Sequence, residues 1–395
     1  MKGILKSLKI LDFTSMLPGP LASLYLADLG ADVIRIESPE RPDPMRSLPP
    51  FKDGQSVAHS YLNRSKRSLG LNLKKNQARE IIFRLVEQYD VIIEQFRPGV
   101  MERLGLGYHE LAAINSKLIY VSLTGYGQFG PYKDKAGHDI NYLALAGTAS
   151  YSGTKEHGPV LSGLQIADMA GGAHHVVMGL LAAVIHRLEQ GKGQHLDISM
   201  TDSMLSMQGL YAASTLCCEH DLSYESHILN GGSYYDYYSS KDGRYFSVGS
   251  LEPKFIQALL EALERPDLLK LLKDNNLESQ AKFKDALKKE FSGRRFDQLK
   301  EVFAKVDACV EPVLTMTEAC EHPHFRAREM FVQVPKNDQG SSGTQVQVAS
   351  PFKFSKAQAH YQFVGRKLGA DNKEVLKSIG LADEQISVLK AEKVI

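Results

Sequence analysis

Tryptophan is absent from this chain. The strongest stacking side chain is therefore missing, which by itself decides nothing. Cysteine is scarce: Cys217, Cys218, Cys309 and Cys320. The first two are adjacent and the others lack a C-x-x-C spacing, so no zinc site and no disulfide framework is read. Reduced thiols of a cytoplasmic protein are expected. An excess of one charge is also missing. The 47 basic and 46 acidic residues leave a net charge of +1, which argues against a nucleic-acid protein. No apolar run has membrane-spanning length, because the stretch from Val176 to Ile185 is short and interrupted by Gly179. No membrane insertion is expected. Met1 to Phe13 alternates lysine with apolar residues and is not read as a signal peptide. The first turn, Thr14 to Pro20, is not G-x-G-x-x-G, so NAD or FAD binding has no support.

What remains is an ordinary globular composition, 43% hydrophobic and 24% charged over 395 residues. That length suits two domains or one elaborated domain. Leu8 to Phe13 reads as a buried strand that Pro18-Gly19-Pro20 breaks. Leu21 to Leu29 reads as a helix stopped by Gly30, and Val33 to Ile36 as the next strand. This βαβ unit predicts a parallel sheet. Further strands are read at Val91 to Glu94, Leu118 to Leu123 and Gln194 to Met200. A helix capped by Asn76 carries Ile81, Ile82, Leu85 and Val86, another covers Leu111 to Ile114, and Asp202 is expected to cap one reaching Ala213. Residues 217 to 230 read as a linker. Tyr234 to Tyr238, Asp242-Gly243 and Tyr245 to Val248 then predict a hairpin, and helices follow at Phe255 to Leu263 and over 267–305, the texture of a smaller α+β domain. Gly340-Ser341-Ser342-Gly343 marks a turn, and two short helices end the chain.

Two stretches invite a chemical reading. Asn63-Arg64-Ser65-Lys66-Arg67-Ser68 is a compact basic turn, either a solvated loop or a phosphate site. The stretch from Gly137 to Gly193 holds His138 in a glycine-punctuated segment and Asp168 before an apolar helix of period 3.6. Alone, Asp168 reads as a plain N-cap and His138 as a polar loop residue. Together, one group that titrates near neutrality and one carboxylate can flank a substrate. His174 and His175 are adjacent on that helix and point to different faces, so they make a poor metal site.

The residues resemble the class III CoA-transferase superfamily (CaiB/BaiF type), and within it most closely the 2-methylacyl-CoA racemases. The superfamily resemblance rests on Pro18-Gly19-Pro20 with Leu29 to Arg35, on Lys66-Arg67-Ser68, on Phe96 to Glu102 and on Gly125 to Pro131. The racemase resemblance rests on Ala136 to Tyr142, on Gly243-Arg244-Tyr245 with Val248 to Phe255, and on Asp307 to Leu314. It implies an α/β fold: a Rossmann-like large domain with a parallel sheet, over 1–216 and 331–395, plus a smaller α+β domain over 217–330. It implies an interlocked homodimer acting on acyl-CoA, with no metal and no cofactor beyond the CoA of the substrate. Implied CoA and substrate contacts are Lys66, Arg67, Ser68, Arg97, Gly137, Asp139, Ile140, Asn141 and Tyr142. Ser38 follows Glu37 where the family often places an arginine for the CoA nucleotide, and Arg35 or Arg41 is expected to substitute. Asn230-Gly231-Gly232 and Gly369-Ala370-Asp371-Asn372 also depart from the family's motifs.

The resemblance implies racemisation through an enolate. His138 and Asp168 would exchange the roles of base and acid, and amides at the start of the 168 helix would hold the enolate oxygen. Glu252 would orient His138, although outside the resemblance it reads as a surface acid before Pro253. The helix dipole favours Asp168 as carboxylate, while burial opposes it. The alternative is CoA transfer through an aspartyl-CoA intermediate on Asp168, with no required proton transfer by His138. A CoA-binding protein without catalysis is the third reading, against which the presence of both residues argues.

Overall fold

The computed structural model describes residues 3–272, 276–336 and 343–395. The expected turn at 340–343 lies, apart from Gly343, outside them. The large unit comprises residues 3–146, 162–207 and 326–395, and the small unit 147–161 and 208–325. The boundaries read from the sequence change accordingly. Residues 147–161 cluster with the small unit, and so does the helix from Gly209 to Cys218.

Six strands build the large unit's sheet: β1 (Lys9–Phe13), β2 (Asp32–Glu37), β3 (Arg67–Gly70), β4 (Val91–Glu94), β5 (Ile119–Thr124) and β6 (His195–Ser199). All pairs are parallel, in the order β6-β5-β4-β1-β2-β3. Strand period two sends Ile10, Val33, Val91 and Val121 to one core, and Leu11, Ile34, Ile92 and Tyr120 to a second. Both faces are covered, as a parallel sheet requires. The chain runs outward from β1 through β2 to β3, and outward from β4 through β5 to β6. The order therefore reverses between β1 and β4, and in such sheets ligands bind beyond the strands' C-terminal ends at that switch point.

Helix α1 (Pro18–Asp28) starts earlier than the expected Leu21, because Pro18 at its first position needs no amide partner. Helix α2 (Asn76–Val86) buries Ala78, Ile81, Ile82, Leu85 and Val86 at three- and four-residue steps. Lys75, not Asn76, occupies its N-cap. Helix α3 (Asp139–Leu145) follows β5. Helix α4 spans Ala167–Gln190, 24 residues, longer than the run read from the sequence. By length and composition alone it is apolar enough to cross a membrane. Val176, Leu180 and Ala183, however, are buried in the first core with α1 and β5. Helix α5 (Met200–Met207) contains Asp202 inside its first turn. The Ser199 hydroxyl accepts the Asp202 amide at 3.1 Å and takes the capping role expected of Asp202. The helix stops at Met207 rather than near Ala213.

After residue 326 the chain returns to the large unit. A hairpin of β7 (Phe331–Pro335) and β8 (Thr344–Val348) precedes helices α6 (Asn372–Ser378) and α7 (Asp383–Ala391). Val375, Leu376, Leu389 and Val394 complete the second core, against Leu69, Leu71 and α2.

In the small unit, strands Asp236–Ser239, Tyr245–Val248 and Val310–Pro312 form an antiparallel sheet. The expected turn at Asp242-Gly243 joins the first two, with Gly243 at φ 78°. Phe246, Phe283, Phe291, Phe296 and Phe303 dominate this unit's core.

Candidate active site

At the switch point, the Gln95 side chain just past β4 accepts the amide of Gly19 at 3.2 Å, tying that edge to the start of α1. The first turns of α4 lie against the same helix start. A Cβ on Gly172 would meet the Cβ of Pro18 at 2.9 Å and the Met200 sulfur at 3.2 Å. Gly171 and Gly172 thus permit a close approach that any larger residue would prevent.

Asp168 is not the N-cap. Ile166 is, and Ala167–His174 form a π-helical segment continuous with the α-helix from His175. Such wide turns concentrate at functional sites. His175 Nδ1 lies 2.7 Å from the Ala170 carbonyl, so that nitrogen carries the ring hydrogen and donates within the wide turn. His174 packs against Tyr25 rather than pairing with His175.

His138 occupies the N-cap of α3, exposed, and its amide donates to the Asn141 side chain at 3.0 Å. Tyr142 is buried one turn on and donates to the Gly137 carbonyl at 2.5 Å. Its ring meets Tyr126 edge-on, centroids 5.2 Å apart. A Cβ on Gly137 would come within 2.6 Å of the Tyr126 hydroxyl, and one on Gly125 within 2.5 Å of the Tyr142 ring. The glycines of this motif are therefore a packing requirement that holds His138 in place.

Asp139 joins the two halves. Its carboxylate accepts the Asp168 amide at 3.0 Å. Asp168 is half-buried, and its carboxyl is pushed up to about 6, by burial first and the Asp139 charge second, with His138 pulling it down. Burial thus outweighs the pull of His138. Burial, followed by the charges of Asp168, Tyr126 and Asp139, raises the Tyr142 phenol to about 12. The amides expected to hold an enolate oxygen are partly withdrawn. That of Asp168 serves Asp139, and that of Met169 donates to the Gln165 carbonyl at 2.9 Å. Sequence reading gave Asp139 a binding role and missed its control of Asp168. Its position next to His138 was the available signal.

The basic turn at 63–68 is not an open phosphate site. The Lys66 side chain is wholly enclosed, its ammonium bonded to the Pro20 carbonyl at 2.8 Å and Asn63 at 3.2 Å, with Asp12 at 3.5 Å. Burial lowers its pKa to about 8. Arg64 is equally buried in a two-point bond to Asp28. Ser68 is buried, its amide on the Asp371 carboxylate and its hydroxyl accepting the Gly369 amide. Arg67 is half-buried between Asp32, Tyr89 and Glu374. Lys66 and Ser68 thus fasten the sheet and the returning tail instead of facing a ligand. Arg35 cannot take over a nucleotide contact either, because it is buried against Asp43 and Glu37. Arg97 and Ile140 are exposed, as a contact residue must be. Glu252, in the small unit, is exposed at the N-cap of the helix Pro253–Ala262.

Known proteins resemble this chain in sequence and fold over almost its whole length. The sequence pattern of CoA-transferase family III matches residues 5–372. The chain is 31% identical over 398 residues to the alpha-methylacyl-CoA racemase of Homo sapiens, covering 99% of this chain and 97% of that protein. It is 29% identical over 397 residues to the succinyl-CoA--D-citramalate CoA-transferase of Chloroflexus aurantiacus, covering 99% and 98%. Among solved structures, a CAIB/BAIF family protein from Brucella suis superposes with a TM-score of 0.84 at 28% identity, covering 96% of this chain and 100% of that one. Racemase and transferase relatives stand at nearly equal distance. The match of pattern and fold across almost the whole length establishes that this chain is an enzyme of CoA-transferase family III.

Proposed function

We propose that this enzyme is a 2-methylacyl-CoA racemase, which epimerises the α-carbon of an acyl-CoA thioester. The observation that carries the proposal is His138 beside an Asp168 whose carboxyl is held up to about 6. A carboxyl raised to about 6 can both give and take a proton near neutral pH. One of the pair removes the α-proton, and the C–H electrons move into the thioester carbonyl to form an enolate. The other returns a proton to the opposite face, the carbonyl reforms, and the pair has exchanged its protonation state. Asp139 sets Asp168 for this role through its charge and its bond to the Asp168 amide. Glu252 is assigned an orienting role, as the family resemblance implies. Arg67, Arg97 and the segment Gly137 to Tyr142 are assigned to CoA and the acyl group. The reading includes an interlocked homodimer, cytoplasmic location, and no cofactor or metal besides the CoA of the substrate.

The transferase relative supports a second reading, in which the Asp168 carboxylate attacks the thioester carbonyl and CoA passes to another acid through an aspartyl-CoA thioester. One experiment separates the two. In heavy water, a single epimer of a 2-methylacyl-CoA is expected to gain α-deuterium and drift to an even mixture without any acceptor acid. His138→Ala is expected to slow this by roughly a hundred- to ten-thousand-fold. Retention of the α-hydrogen, with CoA moving only when a second carboxylic acid is added, sinks the racemase reading and leaves the transferase.

A further inference from the structure

Helix α4 is wound in two registers, and the change falls just after the segment that carries Asp168. Residues Ala167–His174 are π-helical, and from His175 onward the helix is an ordinary α-helix. An α-helix sets positions three and four apart against each other, whereas a π turn pairs positions five apart. The ring of His175, which is half-buried, reaches the Ala170 carbonyl five residues back, at 2.7 Å. In an α-helix these two positions would lie about 140° apart round the axis, out of reach of each other. The bond therefore belongs to the wide register alone. Its direction is natural, because helical side chains lean toward the N-terminus and carbonyls point toward the C-terminus. A carbonyl only accepts, so Nδ1 keeps its hydrogen whether the imidazole is neutral or charged. The backbone amide of His175 donates to the Gly172 carbonyl. One residue at the junction thus engages two carbonyls of the wide segment, one with its main chain and one with its side chain.

The glycines permit the wide turn without selecting it. Gly171 and Gly172 make room for Met200 and Pro18, but glycine favours no one backbone conformation. Downstream the helix is fixed, because Val176, Leu180 and Ala183 are buried in the first core. A return to the α register must therefore be taken up upstream, as a slip of one residue. Such a slip turns each upstream side chain through about 100° and moves it about 1.5 Å along the axis. Asp168 is upstream. It would lose the 3.0 Å bond from its amide to Asp139 and its half-buried place. We propose that His175 is a positioning residue, whose ring hydrogen bond selects the π register and so aims the Asp168 carboxyl at the substrate. The proposal rests on Asp168 being the reacting acid, whether by proton transfer or by attack on the thioester.

Three variants of the full chain test it. His175→Phe and His175→Leu keep apolar bulk and remove the donor, while His175→Asn keeps a donor near the place of Nδ1 and removes the ring. Steady-state kinetics with 2-methylacyl-CoA, alone and with an added carboxylic acid, give kcat and KM. Hydrogen exchange read by mass spectrometry over residues 166–176 reports the turn itself. The Phe and Leu variants are expected to lose about tenfold to a hundredfold in kcat, with KM within about twofold of wild type. Their amides in this stretch are expected to exchange about fivefold faster. His175→Asn is expected to recover most of both. Unchanged kcat and exchange in the Phe and Leu variants overturn the proposal. A loss confined to KM overturns it too. Equal losses in all three variants do the same, since the ring's bulk and not its hydrogen bond would then matter. A wild type that neither racemises nor transfers overturns the reading of Asp168 as the reacting acid, and the exchange comparison then decides the register by itself.

Discussion

Asp168 takes its acidity from burial and from two neighbouring groups, Asp139 and His138, and the first of these can be changed without removing a hydrogen bond. Asp139→Asn keeps an acceptor for the Asp168 amide and deletes the charge that raises the carboxyl. The active species is the pair with one shared proton, so kcat/KM rises with pH as the fully protonated pair loses its first proton. That limb is expected near pH 6 for wild type, at lower pH for Asp139→Asn, and nowhere for Asp168→Asn, which is inactive. Both epimers must share one profile, because their kcat/KM ratio is an equilibrium constant that pH does not alter. Initial rates from each epimer between pH 4 and 9 check this, and an unshifted limb in Asp139→Asn contradicts the cause assigned to Asp168. Lys66 makes the opposite point about reading residues from sequence. Three basic residues in a hexapeptide look solvated, yet the partners Asp12 and Asp28 lie far upstream. Lys66→Met leaves Asp12 buried without its cation and is expected to cost roughly 3–5 kcal/mol in urea unfolding. A loss below 1 kcal/mol would mean that the ammonium does not stabilise this core.

At the scale of elements, apolar runs sufficed to place β1, β2, β4 and β5 within a residue or two, since runs of four to six apolar residues bounded by breakers are too short for a helix and suit a strand buried on both faces. Helix starts were less legible. Asn76 and Asp202 both have capping side chains, but each lies inside its helix, where Lys75 and Ser199 come first. The π turn was invisible because apolar steps of three and four describe an ordinary helix after Asp168, and Gly171-Gly172 gain a reason only when Pro18 and Met200 are seen packed against them. Gly172→Ala is expected to destabilise the chain by about 1–3 kcal/mol through overpacking. It is also expected to lower kcat more than it raises KM, because the displaced turn carries Asp168. Thermal melts and steady-state kinetics on the same preparation check both. Unchanged kcat would separate the packing of this turn from the placement of the acid.

For the whole molecule, the tail decides whether the large unit closes. The periodicity of α6 and α7 marks two short helices but cannot say that Val375 and Leu376 meet Leu69 and Leu71, some three hundred residues earlier. Only the family resemblance pointed to a returning tail. The assignment of 147–161 to the small unit had no local signal, since that loop binds by contacts distant in sequence. Deleting residues 370–395 removes Val375, Leu376, Leu389 and Val394, each worth roughly 1.5–3 kcal/mol when buried. Their sum is comparable to the whole stability of a typical domain, about 5–15 kcal/mol. The shortened chain is expected to lack a cooperative melt and to be recovered as aggregate, and a soluble, cooperatively melting product would show that the tail is an accessory.

That closure by the last segment also sets a schedule on the ribosome. Leu69, Leu71 and the outer face of α2 emerge early, and their partners emerge some three hundred residues later. At roughly 5–20 residues per second the nascent chain carries that greasy face uncovered for some tens of seconds. The Asn72 amide waits as long for its acceptor, the carbonyl of Val394. A stop codon ahead of Val375 therefore spares His138 and Asp168, yet yields a polypeptide whose fate is chaperone capture or degradation.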